Sequence, residues 1–424
     1  MKIAIIQFPG SNCESESIRA VRAAGMGAEE FLWNRNPSDL SLFDGYFIVG
    51  GFSYEDRSRA GIIASLDPIM KYLRTENEKG KPILGVCNGA QILVEAGFVP
   101  GCDGYALGMA LTENKRIKNN RILGTGFYNA WVTLMVGCDP RASAFTCAMQ
   151  PDFTMRVPVA HGEGRFMMED NLLNELKEKQ CTTFRYCAPN GEIIDEFPVN
   201  PNGSAYNLAG VSNANGNCLA LMPHPERTTS GLPVFQSMRK YIAEQTTPRL
   251  SLIDCPKIER SIPDYVKKQD RHEIIVESII TDNAAYTVQT ALRAHGINVR
   301  VRRYAHWEIA LRQGALPSTV SAIIASGELC NTNKERSIDS SKLAPRSQSP
   351  FAWYLVRYRD DNAGSSKLQT LRNHHGFTDI ESSISGVLWT VESAVESQQS
   401  VIDNVLSTNI LYNPNSQICM RYNP

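Results

Sequence analysis

Three short segments carry reactive side chains in spacings that nucleophilic catalysis could use. Gly85-Val86-Cys87-Asn88-Gly89 lies between an apolar run and a helix-type run. That is the layout of a nucleophile elbow, with cysteine where hydrolases carry serine. Small residues must flank such a nucleophile, because the turn is tight and its backbone strained. A helix N-terminus would also lower the thiol pKa. A buried cysteine in a glycine-flanked turn would leave the same letters, so this segment alone decides nothing.

The second segment is Pro223-His224-Pro225-Glu226-Arg227. Pro225 favours an extended backbone at His224, and in an extended chain residues two apart share a side. Glu226 could therefore orient the His224 ring toward a thiol, the logic of a catalytic triad. Alone, a histidine at a proline-rich strand exit is the blander explanation; beside an elbow the balance reverses. The third segment, Gly50-Gly51-Phe52-Ser53, offers backbone N–H groups that, with that of Asn88, could hold an oxyanion. An ordinary β-to-α turn remains the alternative there.

The elements around these segments alternate. Lys2–Phe8, Phe31–Trp33, Tyr46–Val49, Pro82–Val86 and Cys218–Met222 read as strands. Helices are expected after a cap at Asn12, over 59–75, over 88–96 and over 232–244. This alternation predicts a parallel sheet with helices on both faces. In such sheets sites lie at the carboxyl ends of strands, where all three segments fall. The topology of residues 100–220 is not legible.

The 424-residue chain has 43 Lys plus Arg and 44 Asp plus Glu, a formal net charge of −1. That balance argues against binding nucleic acid through bulk positive charge. No run approaches the roughly 18 apolar residues that span a bilayer, and the short apolar start reads as a strand rather than a signal peptide. The expectation is a cytoplasmic protein without membrane or nucleic-acid partners. Eleven scattered cysteines with no CxxC pair predict reduced thiols, with neither disulfide framework nor metal site.

Residues 249–270 read as a linker. Beyond it the chain repeats itself: Ile275-Val276 matches Leu355-Val356, Gln289-Thr290 matches Gln369-Thr370, and His295-Gly296 matches His375-Gly376, all offset by 80. Leu329–Asn333 matches Leu411–Asn415 at an offset of 82. Each copy reads as βαββαβ, over 271–336 and 351–424, with a Ser-rich connector at 337–350. Arg300, Arg302 and Arg303 read as a solvated strand face. His295 and His375 read as helix C-terminal residues.

Further stretches complete a pattern: Gln7–Cys13 (QFPGSNC), Gly50–Asp56 (GGFSYED), Gly85–Gln91, Ala160–Gly164 (AHGEG), Asn200–Ser204 (NPNGS) and Met222–Arg227. Over residues 1–248 the chain resembles the class I, triad-type glutamine amidotransferases. Within them it is similar to the glutaminase-subunit (PurQ) family of phosphoribosylformylglycinamidine synthase. The resemblance implies an α/β, doubly wound domain in which Cys87 attacks the glutamine amide, His224 relays protons and Glu226 orients it. It implies that N–H groups of Gly51 and Asn88 hold the oxyanion, with Phe52 and Gln91 in the glutamine-binding set. His161 would shape the site or a partner contact. The C-terminal copies are similar to the small PurS-like bridging component, here as an α+β tandem, although Thr332 stands where the second copy has Pro414. The resemblance implies no cofactor on this chain. ATP and Mg²⁺ would belong to a separate PurL-like, ATP-dependent synthetase that receives the ammonia in purine biosynthesis. The alternatives are a glutaminase serving another acceptor and a catalytically silent assembly or sensor protein.

Overall fold

Ile3, Ala4, Ile5 and Ile6 are all buried, as are Tyr46-Phe47-Ile48, Ile83–Val86 and Cys218–Leu221. Unbroken apolar runs of this length suit strands covered on both faces. The computed structural model of the chain describes residues 1–245, 253–255, 262–316, 318–343, 351–393 and 399–424. It separates into two units, Met1–Lys257 and Ile258–Pro424.

The strands of the first unit are β1 (Lys2–Gln7), β2 (Gly27–Leu32), β3 (Gly45–Ile48), β4 (Ile83–Val86), β5 (Ala110–Glu113), β6 (Lys115–Lys118), β7 (Arg121–Thr125), β8 (Tyr128–Val136), β9 (Thr154–His161), β10 (Glu163–Met167), β11 (Phe184–Cys187), β12 (Leu208–Ser212) and β13 (Cys218–Leu221). Its α-helices are α1 (Glu14–Ala23), α2 (Ile62–Ser65), α3 (Ile69–Glu78), α4 (Asn88–Glu95), α5 (Asp170–Glu178) and α6 (Leu232–Ala243). Nine strands form one sheet in the order β2-β1-β3-β4-β13-β12-β11-β8-β9. The expected parallel arrangement holds from β2 to β13. From β13 onward the pairings are antiparallel, and the consecutive strands β8–β9, β11–β12 and β12–β13 lie side by side, as antiparallel neighbours can without a βαβ crossover. The neighbours β3, β4 and β13 bring Gly50, Cys87 and His224 to one end of the sheet.

Local expectations shift in three places. The single helix over 59–75 is two, α2 and α3, since Pro68 between them lacks an N–H and cannot continue a helix. The first helix begins after Cys13, not Asn12, and has no side-chain cap. Cys102 and Cys255 are joined as a disulfide with Cα atoms 5.5 Å apart, against the all-thiol expectation. Their separation of 153 residues hid the pair. Ile253 is buried and bridges Cys102, and Asp254 N–H donates to Glu175 at 2.8 Å. These three residues of the expected linker thus pack on the first unit; 246–252 and 256–261 lie outside the described residues.

The second unit contains β14 (Arg271–Ser278), α7 (Asn283–Ala294), β15 (Val299–Leu311), α8 (Ser318–Ala325), β16 (Glu335–Ile338), β17 (Phe351–Tyr358), α9 (Asn362–Asn373), β18 (Ile380–Ser393), α10 (Gln399–Ser407) and β19 (Gln417–Arg421). They form one antiparallel sheet, β16-β14-β15-β18-β17-β19. The two middle strands expected in each copy are one continuous strand, so each copy is βαβαβ. β16 also occupies the start of the expected Ser-rich connector, of which 344–350 lies outside the described residues. The copies share local geometry. Asp282 and Asp361 cap α7 and α9 through their side chains. Asn331 and Asn413 make the same turn, each N–H donating to the side chain four residues on, at 2.8 Å.

At the centre β15 pairs with β18, and His306 faces Gly386 across the ladder. His306 is fully buried and its Nε2 lies 2.7 Å from Glu273. Tyr265 donates to Glu308 at 2.6 Å, and Arg271 and Arg357 pair with the same carboxylate. Among the described residues no helix is long and apolar enough to cross a membrane.

Candidate active site

Cys87 sits between β4 and α4 with φ +53°, a left-handed conformation unusual for a side-chain-bearing residue. Its N–H donates to Leu221 O at 2.9 Å, tying the turn to β13. The flanking glycines are required by close approach. A Cβ on Gly89 would lie 2.0 Å from Ile48 O, and one on Gly85 2.5 Å from Gly89 O. The strained Cys87 turn is therefore held by packing on β3 and α4.

His224 leaves β13 with its N–H donating to Pro158 O at 2.9 Å. Its Nδ1 lies 2.5 Å from Glu226 Oε1, and both side chains are almost wholly buried. The geometry that joins them differs from the extended pairing expected. Pro225–Arg227 forms a 3-10 turn, with Pro225 at its favourable start, and the turn swings Glu226 back under the ring. Burial opposes a charge on His224, but the charges of Glu226 and Cys87, and hydrogen bonds to both, outweigh it and push the pKa up to about 10. With Glu226 on Nδ1, Nε2 is left for the thiol. A Cβ on Gly50 would lie 3.1 Å from His224 Cε1 and 3.5 Å from Cys87 Cβ, so all three meet at one point.

The loop after β3 is strained: Tyr54, Glu55, Asp56 and Ser58 have φ of +51°, +58°, +51° and +68°. Gly51 has φ +146° and a Cβ there would lie 2.6 Å from Gly10 O. Phe52 N–H donates to Gly10 O at 2.9 Å, so its backbone donor is engaged, while its side chain is exposed. Asn88 locks this loop to the elbow. Its Oδ1 accepts from Ser53 N–H at 2.9 Å, and its Nδ2 donates to Asp56 at 3.1 Å and to Gln91 Oε1 at 2.9 Å. Gln91 Nε2 in turn donates to Glu163 O at 2.6 Å. Both ends of the Gln91 amide are thus engaged within the protein, which makes it a strut as well as a candidate glutamine contact.

Several site neighbours have no assigned part in the sequence reading. Burial pushes the Asp56 carboxyl up to about 6, against the Asn88 hydrogen bond. Burial and the Asp56 charge push Glu163 up to about 7, despite Arg59 and the Ala60 N–H. Burial pushes the Cys13 thiol up to about 12, although Arg227 donates to its sulfur at 3.1 Å. Cys13, His224 and Glu226 bring one ligand atom each within 4.8 Å of one another. The Arg227 cation on the sulfur and the carboxylate already on Nδ1 suit a proton relay better than a metal ion. Cys13, Asp56 and Glu163 all fall inside the quoted stretches QFPGSNC, GGFSYED and AHGEG, which was the one signal available.

A glycine-flanked thiol in a left-handed turn, beside a buried imidazole–carboxylate pair at the carboxyl ends of neighbouring strands, makes a candidate site for thiol-dependent acyl transfer. Residues 1–251 match the family described as CobB/CobQ-like glutamine amidotransferase domain, and the chain belongs to that family: it is a glutamine amidotransferase. A relative from Methanothrix thermoacetophila, named phosphoribosylformylglycinamidine synthase subunit PurQ, is 46% identical over 262 residues, covering 58% of this chain and 99% of the relative. A relative of the same name from Thermus thermophilus is 38% identical over 253 residues, covering 57% and 100%. A solved chain from a structure titled as PurLQS from Thermotoga maritima is 31% identical, with TM-score 0.45, covering 57% of this chain and 98% of that one.

Proposed function

We propose that this chain hydrolyses glutamine and supplies the ammonia to an ATP-dependent phosphoribosylformylglycinamidine synthetase subunit in purine biosynthesis. The observation that carries the chemistry is the Cys87 turn beside the 2.5 Å His224–Glu226 pair. The Cys87 thiolate attacks the side-chain carboxamide carbon, and the N–H groups of Gly51 and Asn88 stabilise the oxyanion. His224, held charged by Glu226, gives its proton to the departing nitrogen. Ammonia leaves a thioester on Cys87; His224 then draws a proton from water, which attacks, and glutamate is released. Phe52 and Gln91 stand at the glutamine side of the site.

The acceptor is inferred from what the relatives are named for, and they match the first unit almost end to end. The second unit, two βαβαβ copies on one sheet, is assigned a PurS-like bridging role. The test is glutamate release by this chain, alone and with a purified synthetase, ATP, magnesium and formylglycinamide ribonucleotide. Strong stimulation by the full mixture supports chemistry and acceptor together. Release without stimulation leaves a glutaminase with another acceptor. No release under either condition, with Cys87 unlabelled by a glutamine-analogue electrophile, favours the silent assembly reading. A chain ending at residue 257 should keep its fold and lose coupling to the synthetase; full coupling would refute the bridging role.

A further inference from the structure

Cys13 is the last residue before α1 and is fully buried. Its carbonyl is pinned by Ser17, which donates from the backbone N–H at 3.1 Å and from the hydroxyl at 2.7 Å. Its S–H donates to Asn12 Oδ1 at 3.3 Å, which leaves the sulfur lone pairs for another donor. Arg227 Nη2 donates to that sulfur at 3.1 Å. Burial pushes the thiol up to about 12, so it stays neutral. A guanidinium bonds most strongly to an anionic acceptor, so its place on a neutral sulfur calls for a physical reason.

The Cys13 sulfur lies within 4.8 Å of both a His224 ring nitrogen and a Glu226 oxygen. A Cβ on Gly50 would be 3.0 Å from that sulfur and 3.1 Å from His224 Cε1, so sulfur and ring border one point. Glu226 is held to the ring through Oε1, while its Oε2 is buried with no hydrogen-bond partner among the described residues. A buried carboxylate held at one oxygen can turn about its Cγ–Cδ bond, and its charge needs balancing. Arg227 carries the balancing charge. Burial opposes its ionisation, but Cys13, Glu226 and Glu16 beside it outweigh that and raise its pKa. The residues just before Cys13 brace the loop after β3: Asn12 N–H donates to Gly50 O at 3.1 Å, and Tyr54 N–H donates to Pro9 O at 2.7 Å. One stretch, Pro9 to Cys13, thus meets both that loop and the imidazole–carboxylate pair.

Resting on the glutaminase reading, we propose that Cys13 and Arg227 are positioning residues for that reaction: the sulfur, held by Arg227, closes the side of the His224–Glu226 pair, and the guanidinium balances the carboxylate. Both act through Glu226. They keep its Oε1 on Nδ1 while His224 gives up its proton and takes another, and neither exchanges a proton itself. The short tie between Arg227 and Cys13 also joins the pair to the stretch that braces the Gly50–Tyr54 loop.

The experiment uses the full chain with synthetase, ATP, magnesium and formylglycinamide ribonucleotide. It reads kcat and KM for glutamate release, and the rate of Cys87 alkylation mapped by peptide mass, in a double-mutant cycle with Glu226→Gln. Cys13→Ala removes the sulfur, Arg227→Met removes the charge at similar length, and Cys13→Ser keeps an acceptor for Arg227. Contacting residues that act as a unit couple by about tenfold. In C13A and R227M kcat should therefore fall by about that factor, with KM within about twofold of wild type, and C13S should regain most of the loss. In the E226Q background the same changes should cost less than about twofold, and Cys87 alkylation should follow the same pattern. Unchanged kcat in both C13A and R227M overturns the proposal. So does an equal loss with and without Glu226, which would mean a structural part unrelated to the carboxylate. A raised KM at unchanged kcat overturns it too, by placing Cys13 on the substrate, as does a C13S variant no better than C13A. If C13A does not fold, R227M decides by the same cycle. A wild-type chain that releases no glutamate and leaves Cys87 unlabelled by a glutamine-analogue electrophile refutes the parent reading, whatever the variants do.

Discussion

Glu226→Gln isolates the charge on the orienting carboxylate. Glutamine can still accept from His224 Nδ1–H, so the hydrogen bond survives and the charge does not. The pair is buried with 2.5 Å between Nδ1 and Oε1, and removing one partner of a buried pair costs about 3–5 kcal/mol. At roughly 1.4 kcal/mol per tenfold, kcat/KM for glutamine should drop by about 10²–10⁴. The pH profile adds a second signature. Glu226 and Cys87 hold His224 at about 10 against its burial, so the wild-type imidazolium persists to high pH. In the variant burial prevails, and the alkaline limb should move toward neutrality. The sign for stability follows: a histidine raised from 6.5 to about 10 contributes stability fully present below pH 6.5 and lost as pH rises through 10. The stability deficit of E226Q should therefore shrink above pH 10. Glutamate release and Cys87 alkylation, each from pH 6 to 10.5, are the assays. Activity above a tenth of wild type with an unmoved alkaline limb would refute the orienting role and leave a Cys87–His224 dyad.

Other substitutions probe the surrounding frame. Gly89→Ala puts a Cβ 2.0 Å from Ile48 O and should destabilise by about 1–3 kcal/mol, with glutaminase activity falling further than the melt implies. Asn88→Ala cuts the ties to Ser53, Asp56 and Gln91; each is worth about 1 kcal/mol, and kcat should fall more than KM rises. The unfolded chain protonates His161 near pH 6.5 and the folded chain only near 3. Stability should fall as pH drops across that window, with a flatter urea-midpoint profile in H161Q. Asp282→Ala should cost about 1 kcal/mol as a lost helix cap. Asp361→Ala should cost about 2–3 kcal/mol in denaturant titrations, because Asp361 also accepts from Ser385 N–H and Oγ at 2.6 Å each.

The elbow was legible because its constraints are local. Gly85, Cys87 and Gly89 fall within five residues, and the positive φ at Cys87 needs that spacing. The His224–Glu226 pair was legible as a pair but not in its geometry, since Pro225 starts a turn rather than extending a strand. The struts were not legible. Asn88 reaches back 35 residues to Ser53, Gln91 reaches 72 residues on to Glu163, and Arg227 reaches Cys13 across 214. Nothing in one sequence pairs such positions. The long strand β15 contains neither Gly nor Pro from Val299 to Leu311, so nothing in its residues called for the division into two strands that was expected there. Gly386 in the middle of β18 invites a break that the ladder to β15 overrides.

His306 and Gly386 face each other in the ladder and are also equivalent in the eighty-residue repeat. They therefore mark the pseudo-twofold axis of the second unit. In a dimer of identical chains an axial residue meets its own copy, and every substitution there is made twice. Two imidazoles would crowd that point, with the Arg357 side chain beside it as well: a Cβ on Gly386 would already lie 3.1 Å from Arg357 Cγ. Covalent duplication removes the restriction. One half carries Glu273, His306 and Glu308 where the other has Trp353, Gly386 and Leu388. Joined in one chain, the two halves can diverge separately, and one side of a symmetric frame can become chemically unlike the other.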